Sequence, residues 1–143
     1  MIVLDASAMV EALVGRDVDE VLLDALAGEV AAPHILDVEV LSVLRGLVLG
    51  RKLGEHAAST ARSVHFGFVI DRHETAPLAE RIWDLGHQYT SYDAAYIAMA
   101  EALGAPLHTC DAKLDSGGHI AVVPRSNCQD LWIGVSRDVS LVS

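Results

Sequence analysis

Short apolar runs alternate with longer helical stretches along nearly the whole chain. Ile2-Val3-Leu4 stops at Asp5, and Val30-Ala31-Ala32 precedes Pro33. Phe68-Val69-Ile70, Pro106-Leu107-His108-Thr109 and Ile120-Ala121-Val122-Val123 are further strand-like runs. Between them lie segments with apolar residues at helical spacing. Strands that alternate with helices imply a parallel sheet with helices on both faces, because each crossover must return the chain to the same end of the sheet. The expected fold class is therefore α/β, with a central, mainly parallel sheet.

Cap and breaker residues divide the helices. A helix over 8–14 ends at Gly15, and Asp17 is the expected N-cap of the next, with Glu20 in the capping-box position. Pro33 opens a long helix that runs to Gly50, and another spans 54–64. Thr75 caps a helix carrying Leu78, Ile82, Trp83 and Leu85, and Ser91 begins one that Gly104 terminates. At 143 residues, 52% of them hydrophobic, the chain fits one domain with a substantial core. We expect a single domain over 1–143, with a core of about 1–124 and an extension over 125–143. No apolar run approaches the roughly 20 residues that cross a bilayer. The opening residues have no basic region of the kind that begins a signal peptide, so a cytoplasmic protein is expected.

Four acids occupy informative places. Asp5 and Asp111 directly follow strand-like runs, Asp93 lies at a helix start, and Glu39 lies within an otherwise apolar helix. Each has an ordinary explanation. Asp5 and Asp111 are good helix caps, and Thr90-Ser91-Tyr92-Asp93 fits the capping pattern. Glu39 is costly among Leu36, Val38, Val40 and Leu41 unless it is exposed, paired or bound to a cation. Jointly they suggest more. Ligands of open parallel sheets bind outside the carboxyl ends of the strands. Carboxylates gathered there repel one another unless a cation neutralises them. Oxygen-only donors suit Mg²⁺, with Mn²⁺ as an alternative.

Cys110 and Cys128 are too few for a disulfide framework and fit a reducing compartment. A zinc site built from Cys110, His108 and His119 lacks the usual ligand spacing. The formal net charge of −10 opposes a nucleic-acid partner, but it is unevenly spread. Residues 1–40 carry −8, residues 41–72 carry +3 and residues 73–143 carry −5. The middle segment, with Arg45, Arg51, Lys52, Arg62 and Arg72, is either a solvated helical face or a phosphate-contacting rim.

The chain resembles PIN-domain ribonucleases, in particular VapC-type toxins of bacterial toxin–antitoxin pairs. Ile2-Val3-Leu4-Asp5-Ala6-Ser7, Glu39 within 38–45, Ser91-Tyr92-Asp93-Ala94-Ala95-Tyr96-Ile97-Ala98 and Thr109-Cys110-Asp111-Ala112-Lys113-Leu114 carry the likeness, in that order, over about 1–124. The resemblance implies a PIN-like α/β/α sandwich and a Mg²⁺-dependent endoribonuclease of a type II pair. It also implies an antitoxin that blocks the site. Asp5, Glu39, Asp93 and Asp111 match the family's acidic positions, as catalytic and metal-binding residues, and Ser7 and Thr109 fall where a hydroxyl often supports the acids. The expected partners are RNA, the antitoxin and a second copy of the chain in a homodimer, with no membrane. Three alternatives remain open: a catalytically silent PIN-type binding module, a DNA-directed nuclease, and a phosphoacceptor signalling domain. The last usually has adjacent acids after its first strand, where this chain has Ala6 and Ser7.

Overall fold

The computed structural model describes residues 1–124 and Cys128. Four strands, β1 (Ile2–Leu4), β2 (Val30–Pro33), β3 (Asp71–His73) and β4 (Leu107–His108), form one sheet in the order β3-β2-β1-β4. Every pairing is parallel, and Val3 of β1 stands beside both Ala31 of β2 and Leu107 of β4. β1 and β2 are buried along their whole length, which is why they read as uninterrupted apolar runs.

Among the described residues six α-helices connect and cover the strands: α1 (Ala6–Val14), α2 (Glu20–Leu26), α3 (Ile35–Leu49), α4 (Glu55–Gly67), α5 (Ala79–Asp84) and α6 (Ser91–Leu103). α1 packs against α3 and α4, while α5 packs against α6 and α6 lies along β1, β2 and β4. This is the expected α/β/α sandwich. The core joins the strands to Met9 and Val10 of α1, Leu36, Val40, Leu44 and Leu47 of α3, and Ala94 to Ala100 of α6.

Several boundaries differ from the sequence reading. α1 begins at Ala6 because Asp5 caps it, accepting from the Ala8 N–H. Asp19, not Asp17, caps α2 through the Val21 N–H. Pro33 ends β2 instead of opening α3, whose N-cap is His34. α3 ends near Gly50 as expected, but the left-handed residue is Arg51, at φ 57. Its N–H donates to the Val48 carbonyl and that of Lys52 to Leu47, the paired bonds of a Schellman turn. Thr75 makes no capping bond; a 3₁₀ turn over Ala76–Leu78 precedes α5, and Trp83 is 83% exposed.

Two expected strands move or vanish. β3 lies at 71–73, not 68–70: Val69 is 90% exposed, and the polar Asp71-Arg72-His73 pairs with β2 at the edge of the sheet, where no apolar run is needed. Residues 120–123 run beside β4 but form no strand; the Leu107 N–H donates to the Val122 carbonyl (2.8 Å), while Ile120 and Val122 stay largely exposed. Cys110 and Cys128, expected to fit a reducing compartment, are joined in a disulfide across a sequence separation of 18. The rest of the expected 125–143 extension lies outside the described residues. Among those residues no helix is long and apolar enough to cross a membrane.

Candidate functional site

From β1 the chain moves to β2 and then β3 on one side; it then returns across the sheet to place β4 on the other side of β1. The strand order therefore reverses between β1 and β4. In open parallel sheets the crevice at that reversal, outside the carboxyl ends, receives ligands. Asp5 leaves β1 at this point and Asp111 follows β4. The helices return antiparallel to the strands, so α3, directly after β2, and α6, which leads into β4, both begin towards the same edge. Glu39 and Asp93 lie in the first two turns of those helices.

Asp5 is 1% exposed, and a carboxylate so deep needs hydrogen bonds. Its Oδ1 accepts from Ser7 Oγ (2.6 Å) and the Ala8 N–H (3.0 Å), and its Oδ2 accepts from Thr109 Oγ1 (2.5 Å). A hydroxyl has a single proton, and both Ser7 and Thr109 direct theirs at Asp5. Their oxygens then accept backbone protons from the chain leaving β4: Cys110 N–H to Ser7 (2.8 Å) and Asp111 N–H to Thr109 (2.9 Å). Two hydroxyls thus tie the end of β1 to the end of β4 and fix where Asp111 starts. Asp111 is half-buried and also caps the following 3₁₀ turn over Ala112–Asp115 through the Lys113 N–H. Asp5 and Asp111 thus both act as caps and lie at one junction of strand ends.

Glu39 is tied to α6, the helix that carries Asp93, through a residue not assigned a role from sequence. Tyr96 donates its hydroxyl proton to Glu39 Oε1 at 2.6 Å. Tyr96 sits three residues beyond Asp93 on α6, hence on the same face one turn later. Asp93 is 4% exposed and its N–H donates to Thr90 Oγ1 (3.2 Å), which makes Thr90 the N-cap. Glu39 is half-buried, so the apolar helix is not its full surrounding. The structure brings together Asp5 with Asp111, and Glu39 with the helical turn that bears Asp93. A signal for Tyr96 existed in the sequence: a tyrosine among small apolar residues on a buried helix requires a polar partner for its hydroxyl.

A second tyrosine secures the loop beyond Asp111. Tyr89, 3% exposed, donates to the Gly117 carbonyl (2.5 Å) and contacts Ser116 Oγ (3.1 Å). Gly118 there has φ 78, a conformation that side chains rarely adopt, so a substitution would be strained. At the end of β4, burial pushes the His108 imidazole below its ordinary pKa.

The donor chemistry at this edge is carboxylate and hydroxyl oxygen, which fits a hard cation and not zinc. Among the described residues no group of three or more His, Cys, Asp and Glu side chains is placed to hold a metal ion. An ion here would lean on few carboxylates and keep several waters, the manner in which Mg²⁺ binds.

Comparison with known proteins agrees with this fold. The PIN domain family model matches residues 2–119. Ribonuclease VapC1 of Mycobacterium tuberculosis is 40% identical over 115 residues, 78% of this chain and 86% of that protein. Among solved structures, the sarcin-ricin loop cleaving toxin VapC20 of M. tuberculosis superposes with a TM-score of 0.60 at 20% identity, covering 87% of this chain and all of the other. A toxin–antitoxin complex from Klebsiella pneumoniae gives 0.56 at 20% identity, covering 89% and all. At such identities these two structures speak for the fold.

Proposed function

This chain belongs to the PIN-domain family, in its VapC-type branch, and we propose that it is the Mg²⁺-dependent endoribonuclease toxin of a type II toxin–antitoxin pair. The observation that carries the reading is the junction at which Ser7 and Thr109 bind Asp5 and orient Asp111 where the strand order reverses. A bound Mg²⁺, or Mn²⁺, would supply an acidified water and positive charge for the phosphate oxygens. Asp5 and Asp93, both deeply buried, would hold the ion most directly. Glu39 and Asp111, half-buried, would complete its shell through water and orient the attacking water by accepting its hydrogen bonds. All four acids are present in the sequence, which disfavours a silent binding module.

Cleavage of RNA with Mg²⁺ and with chelator, by the native protein and by Asp5→Asn, tests this. We expect activity only in the native protein with metal, with Asp5→Asn inactive yet folded by thermal melting. Full activity in Asp5→Asn would remove Asp5 from the mechanism.

The same acids define the partner. An acidic cleft in a chain of net charge −10 attracts cationic side chains. The antitoxin is expected to place an Arg or Lys against Asp5, Glu39, Asp93 or Asp111, in a cytoplasmic complex built on a toxin homodimer. Activity that persists with saturating antitoxin would refute this inhibitory role.

A further inference from the structure

We propose that Tyr96 is a positioning residue of this site: its hydroxyl holds the Glu39 carboxylate at the α6 turn that begins at Asp93, so that both acids face one ion. The inference rests on the metal-site reading above and adds to it a residue outside the acid set. Tyr96 is 1% exposed and packs in the core with Ile97 and Met99 of its own helix. A phenylalanine would meet the packing need. The hydroxyl instead reaches across to α3, 57 residues away in sequence, and donates to Glu39 Oε1 at 2.6 Å. That length is typical of a hydroxyl donating to an ionised carboxylate, about 2.5–2.7 Å.

Glu39 needs such a partner. It is half-buried, while its helix neighbours Leu36 and Val40 are fully buried and Val38 is 67% exposed, so the carboxylate sits at the margin of the core. A glutamate there has three side-chain torsions to restrict before it can act at a defined place. The tyrosine ring is itself fixed by packing on the helix that carries Asp93. A bond from that ring therefore sets Glu39 relative to Asp93, which hydration of the carboxylate could not do. Such supporting partners commonly change metal affinity or activity about 10–100-fold when removed.

The test is Mn²⁺ binding by calorimetry on the native protein, Asp5→Asn, Tyr96→Phe, Glu39→Gln and the Tyr96→Phe/Glu39→Gln pair. Thermal melting without metal accompanies each. Tyr96→Phe is expected to bind Mn²⁺ about tenfold more weakly, with little change in melting. In the Glu39→Gln background the tyrosine substitution should add nothing, because the bond it removes is already altered. A purely structural tyrosine would lower the melting temperature equally in both backgrounds and leave Mn²⁺ binding alone. Native affinity in Tyr96→Phe, with binding lost in Asp5→Asn, overturns the role of Tyr96 and leaves the metal site standing. No Mn²⁺ binding by the native protein, or equal binding by Asp5→Asn, overturns the metal-site reading itself. Should Tyr96→Phe fail to fold, Glu39→Asp, whose carboxylate is one methylene too short for the hydroxyl, replaces it. Native affinity in Glu39→Asp would likewise overturn the proposal.

Discussion

Thr109, like Ser7, both donates and accepts at the junction, and its two bonds reach two of the acids. It donates to Asp5 and accepts from the Asp111 N–H, so one oxygen relates acids 106 positions apart in sequence. Replacing it with valine keeps the shape but leaves the buried Asp5 short of a donor and the Asp111 N–H short of an acceptor. A lost partner for a buried polar group costs roughly 1–3 kcal/mol. Thr109→Val should therefore lower stability by that order in urea titration and reduce RNA cleavage through displacement of Asp111. Unchanged stability would show that water replaces the hydroxyl. The candidate acids stand out in the sequence by their places after strand-like runs, at a helix start and, for Glu39, within an apolar helix, and the two hydroxyl positions follow from the family resemblance. The bonds among them were not, because short-range pattern carries no information on which strand end meets which. Tyr96 was overlooked for a related reason: on a helix of small apolar residues its ring accounted for its presence.

At the level of elements, Asp37 locks α3 to its neighbours. Its carboxylate accepts two bonds from Arg72 of β3, at 2.8 and 3.0 Å, and lies 2.8 Å from Nε2 of the fully buried His65 on α4. Burial raises the pKa of Asp37, but hydrogen bonds and charge from Arg72 and His65 outweigh it and hold the carboxyl below its ordinary value. A carboxyl with a depressed folded pKa adds stability that is fully present above its unfolded pKa of about 3.9 and is lost as pH falls through the folded value. Stability contributed by this network should thus persist at neutral pH and fade below about pH 4. Asp37→Asn should be less stable than the native protein at pH 7, with the difference shrinking on acidification, as read from denaturant midpoints between pH 7 and 3. A gap independent of pH would assign the loss to packing instead. The same network explains why β3 was misplaced. The only apolar run in this part of the sequence is 68–70, whereas the edge strand that carries Arg72 to Asp37 is polar. Long helices and the two central strands were legible because burial imposes their periodicity; the edge strand and the 3₁₀ turns were not, because tertiary pairing alone defines them.

Across the whole molecule, two features govern how the site meets its surroundings. The disulfide encloses Asp111 and its 3₁₀ turn within the loop from Cys110 to Cys128. Closing a loop of this length restricts the unfolded chain by about 3 kcal/mol. A thiol reductant should therefore lower the melting temperature of the native protein and leave that of Cys128→Ser unchanged; equal melting with and without reductant would show that the bond contributes nothing. In a reducing compartment such a bond is liable to be open. The second feature is charge. A net charge of −10 opposes long-range attraction of RNA, so binding must draw on the +3 segment at 41–72. Arg45, Arg51 and Lys52 are exposed on α3 or just beyond it, the helix that carries Glu39. Exposed cations on one helix and just beyond its end suit contact with a phosphate backbone. If they line the RNA path, each phosphate contact removed should weaken binding and reduce the salt slope by about 0.7 for a single strand. The Arg51→Ala/Lys52→Ala double variant, titrated with RNA at several salt concentrations in an Asp5→Asn background, should show both changes with cleavage chemistry removed from the measurement. An unchanged affinity and slope would place the RNA path on another face.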